Sequence, residues 1–157
     1  MDRRHTVAPA RAPGHCSAAS RRMSNRREHD VTADIHAIAE AYTAAWNSGS
    51  AEAVASFYAE DGEIAINRGA PWRGRTGVAQ MAAGFFADVP DLHLTCDGLR
   101  IAGDHAAYLW TFTGHHAGTR KPLRVTGWEE WDLDAAGKVM ASRGWYDAAD
   151  YARQAGA

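Results

Sequence analysis

The sequence predicts an α+β fold in which three N-terminal helices pack on one face of a curved, mostly antiparallel sheet and enclose a pocket. Three observations carry that prediction. Apolar residues from Ile35 to Phe86 recur largely at helical spacing, the segments from Leu92 to Tyr146 alternate with the two-residue period of strands, and short turns rich in glycine separate those strands. Helices and strands therefore fall into successive blocks of the chain, the arrangement that places helices on one side of an antiparallel sheet and gives an α+β cone.

Each element has its own signal. Ile35, Ile38, Ala39, Tyr42 and Trp46 share one helical face, with Thr32 or Asp34 placed to cap its start and Gly49 to stop it. Ser50 caps a second, short helix through Ala55, Phe57 and Tyr58. Residues Gly62 to Asn67 alternate as a short strand, which Gly69-Ala70-Pro71 breaks. Thr76 opens a third helix with Val78, Met81, Ala82, Phe85 and Phe86 on one stripe, ended before Pro90. Strands then run from Leu92 to Ala102, Ala106 to Ala117, Leu123 to Leu133 and Val139 to Tyr146, with turns at Gly103-Asp104, Gly118-Thr119 and Ala136-Gly137. A last short helix is expected from Ala148 to Gln154, capped by Asp147.

The 157 residues are enough for one domain with one sizeable core. Residues 1–30 hold seven arginines against Asp2, Glu28 and Asp30, a balance of +4, so the other residues carry −6 of the net −2. With no apolar period, residues 1–30 read as a disordered lead and residues 31–157 as the folded domain. Met23 is an alternative start within that lead, whose arginine-rich, acid-poor composition also weakly resembles a transit peptide. The acidic remainder lacks the basic, aromatic-interleaved surface that nucleic acid demands, and no apolar run is long enough to span a bilayer. Cys16 and Cys96 form neither a disulfide framework nor a zinc motif, and a reducing cytoplasm is the expected compartment.

The strand from Leu123 to Leu133 carries the sharpest chemical clue. Alternation puts Val125, Gly127, Glu129, Trp131 and Leu133 on one face and Thr126, Trp128, Glu130 and Asp132 on the other, so Glu129 is the one charge on an apolar face. A carboxyl in that position must be paired or kept protonated by desolvation, both frequent at functional sites. The competing account is a bulge that slips the parity and leaves Glu129 at a solvated edge. If the parity holds, Trp110, Phe112, Trp131 and Tyr146 are candidate walls of a cavity around Glu129. Trp128 and Trp145 then point away from it, as a homodimer surface would require.

Five spaced segments carry a family resemblance: Pro90-Asp91-Leu92-His93, Gly114-His115-His116-Ala117-Gly118, Gly127-Trp128-Glu129-Glu130-Trp131, Gly137-Lys138-Val139 and Arg143-Gly144-Trp145-Tyr146-Asp147. Together with Phe85-Phe86 they resemble the polyketide-cyclase (SnoaL-like) branch of the nuclear transport factor 2-like superfamily, over about Ile35 to Ala157. The resemblance implies a cone whose interior binds a small ligand, and dimers through the other face of the sheet. It implies a polar pocket role for Glu129 and, through the related ketosteroid isomerases, an oxyanion role for Tyr42 in Tyr42-Thr43-Ala44-Ala45-Trp46-Asn47-Ser48-Gly49. The alternative for Tyr42 is an ordinary core tyrosine bonded to a backbone carbonyl. The resemblance further puts Trp72 on a loop over the cavity and His116 at its mouth; the alternative for Trp72 is a simple packing tryptophan.

Two departures from those families limit the chemistry. The isomerases' base falls on or beside Ile66, which cannot abstract a proton, and the cyclases' aspartate falls on Gly144. The limonene-type epoxide hydrolases' Asp-Arg-Asp arrangement is likewise incomplete, with Arg143 alone remaining. Adjacent His115 and His116 point to opposite faces of a strand, which argues against a metal site, and no nucleotide or serine-hydrolase motif calls for a cofactor. Three functions remain: a cofactor-free cyclase, isomerase or lyase acting through Glu129 and Tyr42 on a small apolar metabolite, a non-catalytic ligand-binding module, or a dimeric protein-interaction domain.

Overall fold

The computed structural model describes residues 34–156; the lead of residues 1–30 and its boundary lie outside them. Helix α1 occupies residues 34–47, with Ile35, Ala39, Tyr42, Ala45 and Trp46 buried along one stripe and Gly49 in the left-handed region (φ 71°) just past its end. Helix α2 (Ala51–Ala55) begins where the Ser50 hydroxyl accepts the Ala53 amide at 3.1 Å. Helix α3 (Gly74–Asp88) starts two residues before the expected Thr76 and buries Val78, Met81 and Ala82.

The strands are β1 (Tyr58–Ile66), β2 (Trp72–Arg73), β3 (His93–Ala102), β4 (His105–His115), β5 (Pro122–Leu133) and β6 (Val139–Tyr146), followed by α4 (Ala148–Ala155). They form one curved, open sheet in the order β2-β1-β6-β5-β4-β3, antiparallel except for the parallel β1–β6 pair. The α+β cone is thus as expected, with the edge strand β2 added to the expected elements and one element misplaced. Tyr58 belongs to β1 and not to the second helix, which ends at Ala55: it pairs with Val139 of β6, and the register of β1 against β6 then shifts before Glu63. Within that bulge Gly62 is pressed against β6: a β-carbon there would stand 2.6 Å from the Val139 carbonyl oxygen. The irregularity hides the alternation of Tyr58 to Asp61 from a sequence reading.

Helix α4 is pinned to β5 by Gln154, which accepts the Arg124 amide at 2.7 Å and donates to the Arg124 carbonyl at 2.9 Å. Asp147 caps it, accepting the Asp150 amide at 2.9 Å. No helix of the described residues is long and apolar enough to cross a membrane.

Candidate functional site

Strand β5 pairs in unbroken register with β4 from Pro122 to Asp132, so no bulge interrupts its alternation around Glu129. Glu129 is 6% exposed, while Trp128 on the opposite face is 44% exposed. The carboxyl of Glu129 is held from three elements, α1, β5 and β6. The Tyr42 hydroxyl on α1 donates to it, 3.1 Å from each oxygen; the Trp131 indole N–H donates to Oε2 at 2.7 Å; and the Ser142 hydroxyl on β6 lies 3.3 Å from Oε2. From β1, the Tyr58 hydroxyl stands 3.4 Å from that of Tyr42. Because Tyr42 commits its proton to Glu129, Tyr58 is the donor in that pair.

Electrostatics follow from this burial. Desolvation lifts the Glu129 pKa above the ordinary carboxylate value, and the donors Trp131, Tyr42 and Ser142 pull it part of the way back. Burial, reinforced by the Glu129 charge, raises the Tyr42 and Tyr58 hydroxyls well above an ordinary phenol, so both stay protonated and act as donors. The indole N–H can only donate, which fixes Oε2 as an acceptor. A proton on the carboxyl therefore sits on Oε1.

Glu129 forms one wall of a narrow, almost wholly apolar pocket. Its empty space, mouth included, is about 480 Å³, of which only about 40 Å³ admits the centre of a water molecule. Helices contribute Trp46, Met81 and Phe85, and β1 contributes Ile64 and Ile66. Leu92 precedes β3 and Leu94 lies on it, β4 supplies Trp110 and Phe112, and β6 closes the wall from Gly144 to Tyr146. Ile66 and Gly144 are register partners, and a β-carbon at 144 would stand 3.6 Å from Ile66 Cγ1 and 3.9 Å from Glu129 Cγ. Ile66 and Gly144 thus both face this pocket, and neither brings an acid or a base to it.

Of the residues singled out in the sequence, Glu129, Trp110, Phe112 and Tyr146 line the pocket, with Tyr42 bonded to Glu129 from beneath. Tyr42 makes that bond and not the alternative one to a backbone carbonyl. Trp131 is not a wall: 1% exposed, it stacks on Tyr108 at 4.9 Å and supports the carboxyl. Trp72 is not one either. It pairs with Ile64 from the edge strand β2, turns outward and is 41% exposed. His116 also lies off the pocket, because β4 ends at His115 and the chain turns back through the Arg120 amide to His116 carbonyl bond; its ring packs against Tyr151.

The sequence reading missed Trp46 and Phe85 as walls and Tyr58 and Ser142 as neighbours of the acid. Trp46 was discoverable, being one turn from Tyr42 on the same face, and Ser142 shares its parity with Gly144. Among the described residues no three His, Cys, Asp or Glu side chains are grouped to hold a metal ion.

The outer face of the sheet is different in character. Arg143 bridges Glu130 and Asp132 at 3.2 Å each, and His105 meets Asp132 at 2.7 Å. Arg143, with His105, holds the Asp132 carboxyl below its ordinary range. Trp128 rises exposed beside this network.

Comparison with known proteins agrees with the fold. A protein of Catenulispora acidiphila with a ketosteroid isomerase-like fold, solved in complex with trimethylamine, superposes with a TM-score of 0.70 at 24% identity, covering 76% of this chain and 92% of that one. AclR of Streptomyces galilaeus, a proposed hydroxylase, superposes at 0.69 with 19% identity over 79% and 96%. A proposed SnoaL-like polyketide cyclase of Jannaschia sp. CCS1 superposes at 0.63 with 15% identity over 71% and 87%. No curated protein matches the chain. The family model of the SnoaL-like domain matches residues 39–141, more than half of the sequence and every strand from β1 to β5, and the chain therefore belongs to the SnoaL-like family.

Proposed function

We propose that this protein is a cofactor-independent cyclase, isomerase or lyase acting by acid–base chemistry on a small, mainly apolar metabolite. One observation carries the reading: among the described residues a single carboxyl, Glu129, stands in the wall of an apolar pocket, anchored by Tyr42, Trp131 and Ser142. Anchoring through Oε2 leaves Oε1 as the oxygen that exchanges a proton with a substrate atom. The raised pKa puts that exchange closer to neutral pH, where general acid–base catalysis is most effective. Tyr42 shares its hydrogen bond between the two oxygens and steadies the carboxylate once the proton has left. In the test, Glu129→Gln retains ligand binding and lowers turnover by about 100-fold or more. Unchanged turnover on an identified substrate removes the assignment.

A second reading, a ligand-binding module without turnover, draws support from Ile66 and Gly144, which face the pocket with neither an acid nor a base. Glu129→Gln then alters affinity alone. The exposed Trp128 supports pairing of two copies through the outer sheet face. We place the homodimer in the cytoplasm, where Cys16 and Cys96 stay reduced.

A further inference from the structure

Four of the aromatic rings on the pocket form a closed circuit. Phe85 and Phe112 stand 6.4 Å apart, Phe112 and Trp110 5.8 Å, Trp110 and Tyr146 6.4 Å, and Tyr146 and Phe85 6.2 Å, centroid to centroid. Four sides of that length put the middle of the circuit at most about 4.4 Å, root-mean-square, from the ring centroids, inside the ~6 Å range of a cation–π contact. All four rings line the cavity that Glu129 also lines.

We infer that the pocket recognises a small alkylammonium cation, held in the Phe85–Phe112–Trp110–Tyr146 box beside the Glu129 carboxylate. The inference rests on the acid–base reading of the same site and names the class of its ligand. Charge argues for a cation: among the described residues no lysine, arginine or histidine lines the cavity, so an anion would be desolvated there without a partner. The groups packed on Glu129 are Tyr42 of α1, Tyr58 of β1, Trp131 of β5 and Ser142 of β6, and none is cationic. Tyr108 of β4 feels the same negative charge, and at the other end Tyr146 feels that of Asp88 at the end of α3. An entering cation supplies the counter-charge that the fold withholds.

Hydrogen-bonding capacity argues for an alkylated nitrogen. A primary ammonium brings three donors, and Oε2 of Glu129 is already occupied by Trp131 and Ser142. Tertiary or quaternary nitrogen has one N–H or none, and its alkyl groups pack against ring faces. The narrowness of the cavity fits a head group of a few carbons better than a fused polycycle.

Choline and its uncharged carbon isostere 3,3-dimethylbutan-1-ol separate charge from shape. Titration of the full chain by calorimetry and indole fluorescence at pH 8 is expected to give choline at least a tenfold advantage, which Glu129→Gln reduces to about twofold. Phe112→Leu, which opens one side of the box and keeps the carboxyl, should lower choline affinity more than that of the alcohol. Choline should also displace a proton from wild-type Glu129 at mildly acidic pH, seen as a binding enthalpy that differs between phosphate and ACES, two buffers of that range with unlike ionisation enthalpies. Equal or tighter binding of the alcohol overturns the cation inference, and so does failure of choline to bind at tens of millimolar. Neither result touches the acid–base reading, which falls only if Glu129→Gln leaves turnover intact.

Discussion

Ile66 and Gly144 lie side by side in the parallel β1–β6 ladder, and both face the pocket next to Glu129. With that strand register, Glu129 is the one carboxyl lining the site among the described residues. A β-carbon at 144 meets only ordinary van der Waals neighbours, Ile66 Cγ1 at 3.6 Å and Glu129 Cγ at 3.9 Å, and Gly144 is not among the residues with positive φ. Gly144→Ala should therefore fold normally, changing stability by less than about 1 kcal/mol, since the backbone conformation suits alanine. Gly144→Asp sets a second carboxylate beside the first and should raise the Glu129 pKa further. Carboxyl titration followed by infrared or NMR spectroscopy checks the direction, and a lowered Glu129 pKa would contradict this geometry.

At Gly127 the opposite outcome is expected. Trp110 lies across this residue: an added β-carbon would stand 2.6 Å from Trp110 Cζ2 and closer still to the Trp145 backbone oxygen. The backbone oxygen cannot give way as a flexible side chain could. Gly127→Ala should cost about 1–3 kcal/mol as an overpacked site and displace the Trp110 indole. Denaturant unfolding and indole fluorescence report the two effects, and an unchanged midpoint with unchanged emission would show that the strand relaxes freely.

How far the sequence reveals this site depends on how regular each element is. Strand β6 occupies the span that its alternation predicts, and β5 keeps its parity because its register with β4 is continuous, so the inward turn of Glu129 was readable. The bulge at Gly62 concealed the start of β1, and with it the place of Tyr58 beside Tyr42. Trp72 and His116 were assigned by likeness of motif alone; a two-residue edge strand and a tight turn decide their directions, and neither leaves a periodic signal. Trp46 and Phe85 sit on helical stripes where a wall of the pocket and a wall of the core look the same.

The raised pKa of Glu129 fixes the sign of a stability effect. Folding holds the proton more tightly than the unfolded chain does, so stability falls as pH rises from the ordinary carboxylate pKa through the elevated folded value, and is flat above it. Each unit of elevation corresponds to about 1.4 kcal/mol. The melting temperature of Glu129→Gln relative to wild type should thus climb as pH rises above the ordinary carboxylate range, the amide having no proton to lose. Thermal unfolding over that rise in pH checks it, and a difference that shrinks with rising pH would mean that the carboxylate is net stabilised in the fold.

Tyr151 offers a gain in stability. Its hydroxyl is buried with no hydrogen-bond partner among the described residues, while its ring packs against Phe112, Tyr146 and His116. A buried unpaired hydroxyl costs about 1–3 kcal/mol, so Tyr151→Phe should leave the ring contacts in place and raise the melting temperature by about 2–4 °C per kcal/mol recovered. A fall of that size would reveal a partner for the oxygen.

The outer face of the sheet supports the last prediction. Trp128 is 44% exposed, its indole N–H reaching Glu130 at 3.2 Å, and it pairs across the ladder with Trp145, which Arg68 covers at 5.5 Å from the ring centroid. Tryptophan and arginine flanked by an ion network resemble the anchors and rim of an interface between proteins. Light scattering at tens of micromolar should give twice the 17.0 kDa chain mass, as a micromolar association of about 8 kcal/mol would. Trp128→Glu should return the single-chain mass without disturbing the pocket, because its side chain lies on the face of β5 opposite Glu129. A wild-type mass of one chain at that concentration would rule out pairing through this face, and a dimer that survives Trp128→Glu would place the interface on another surface.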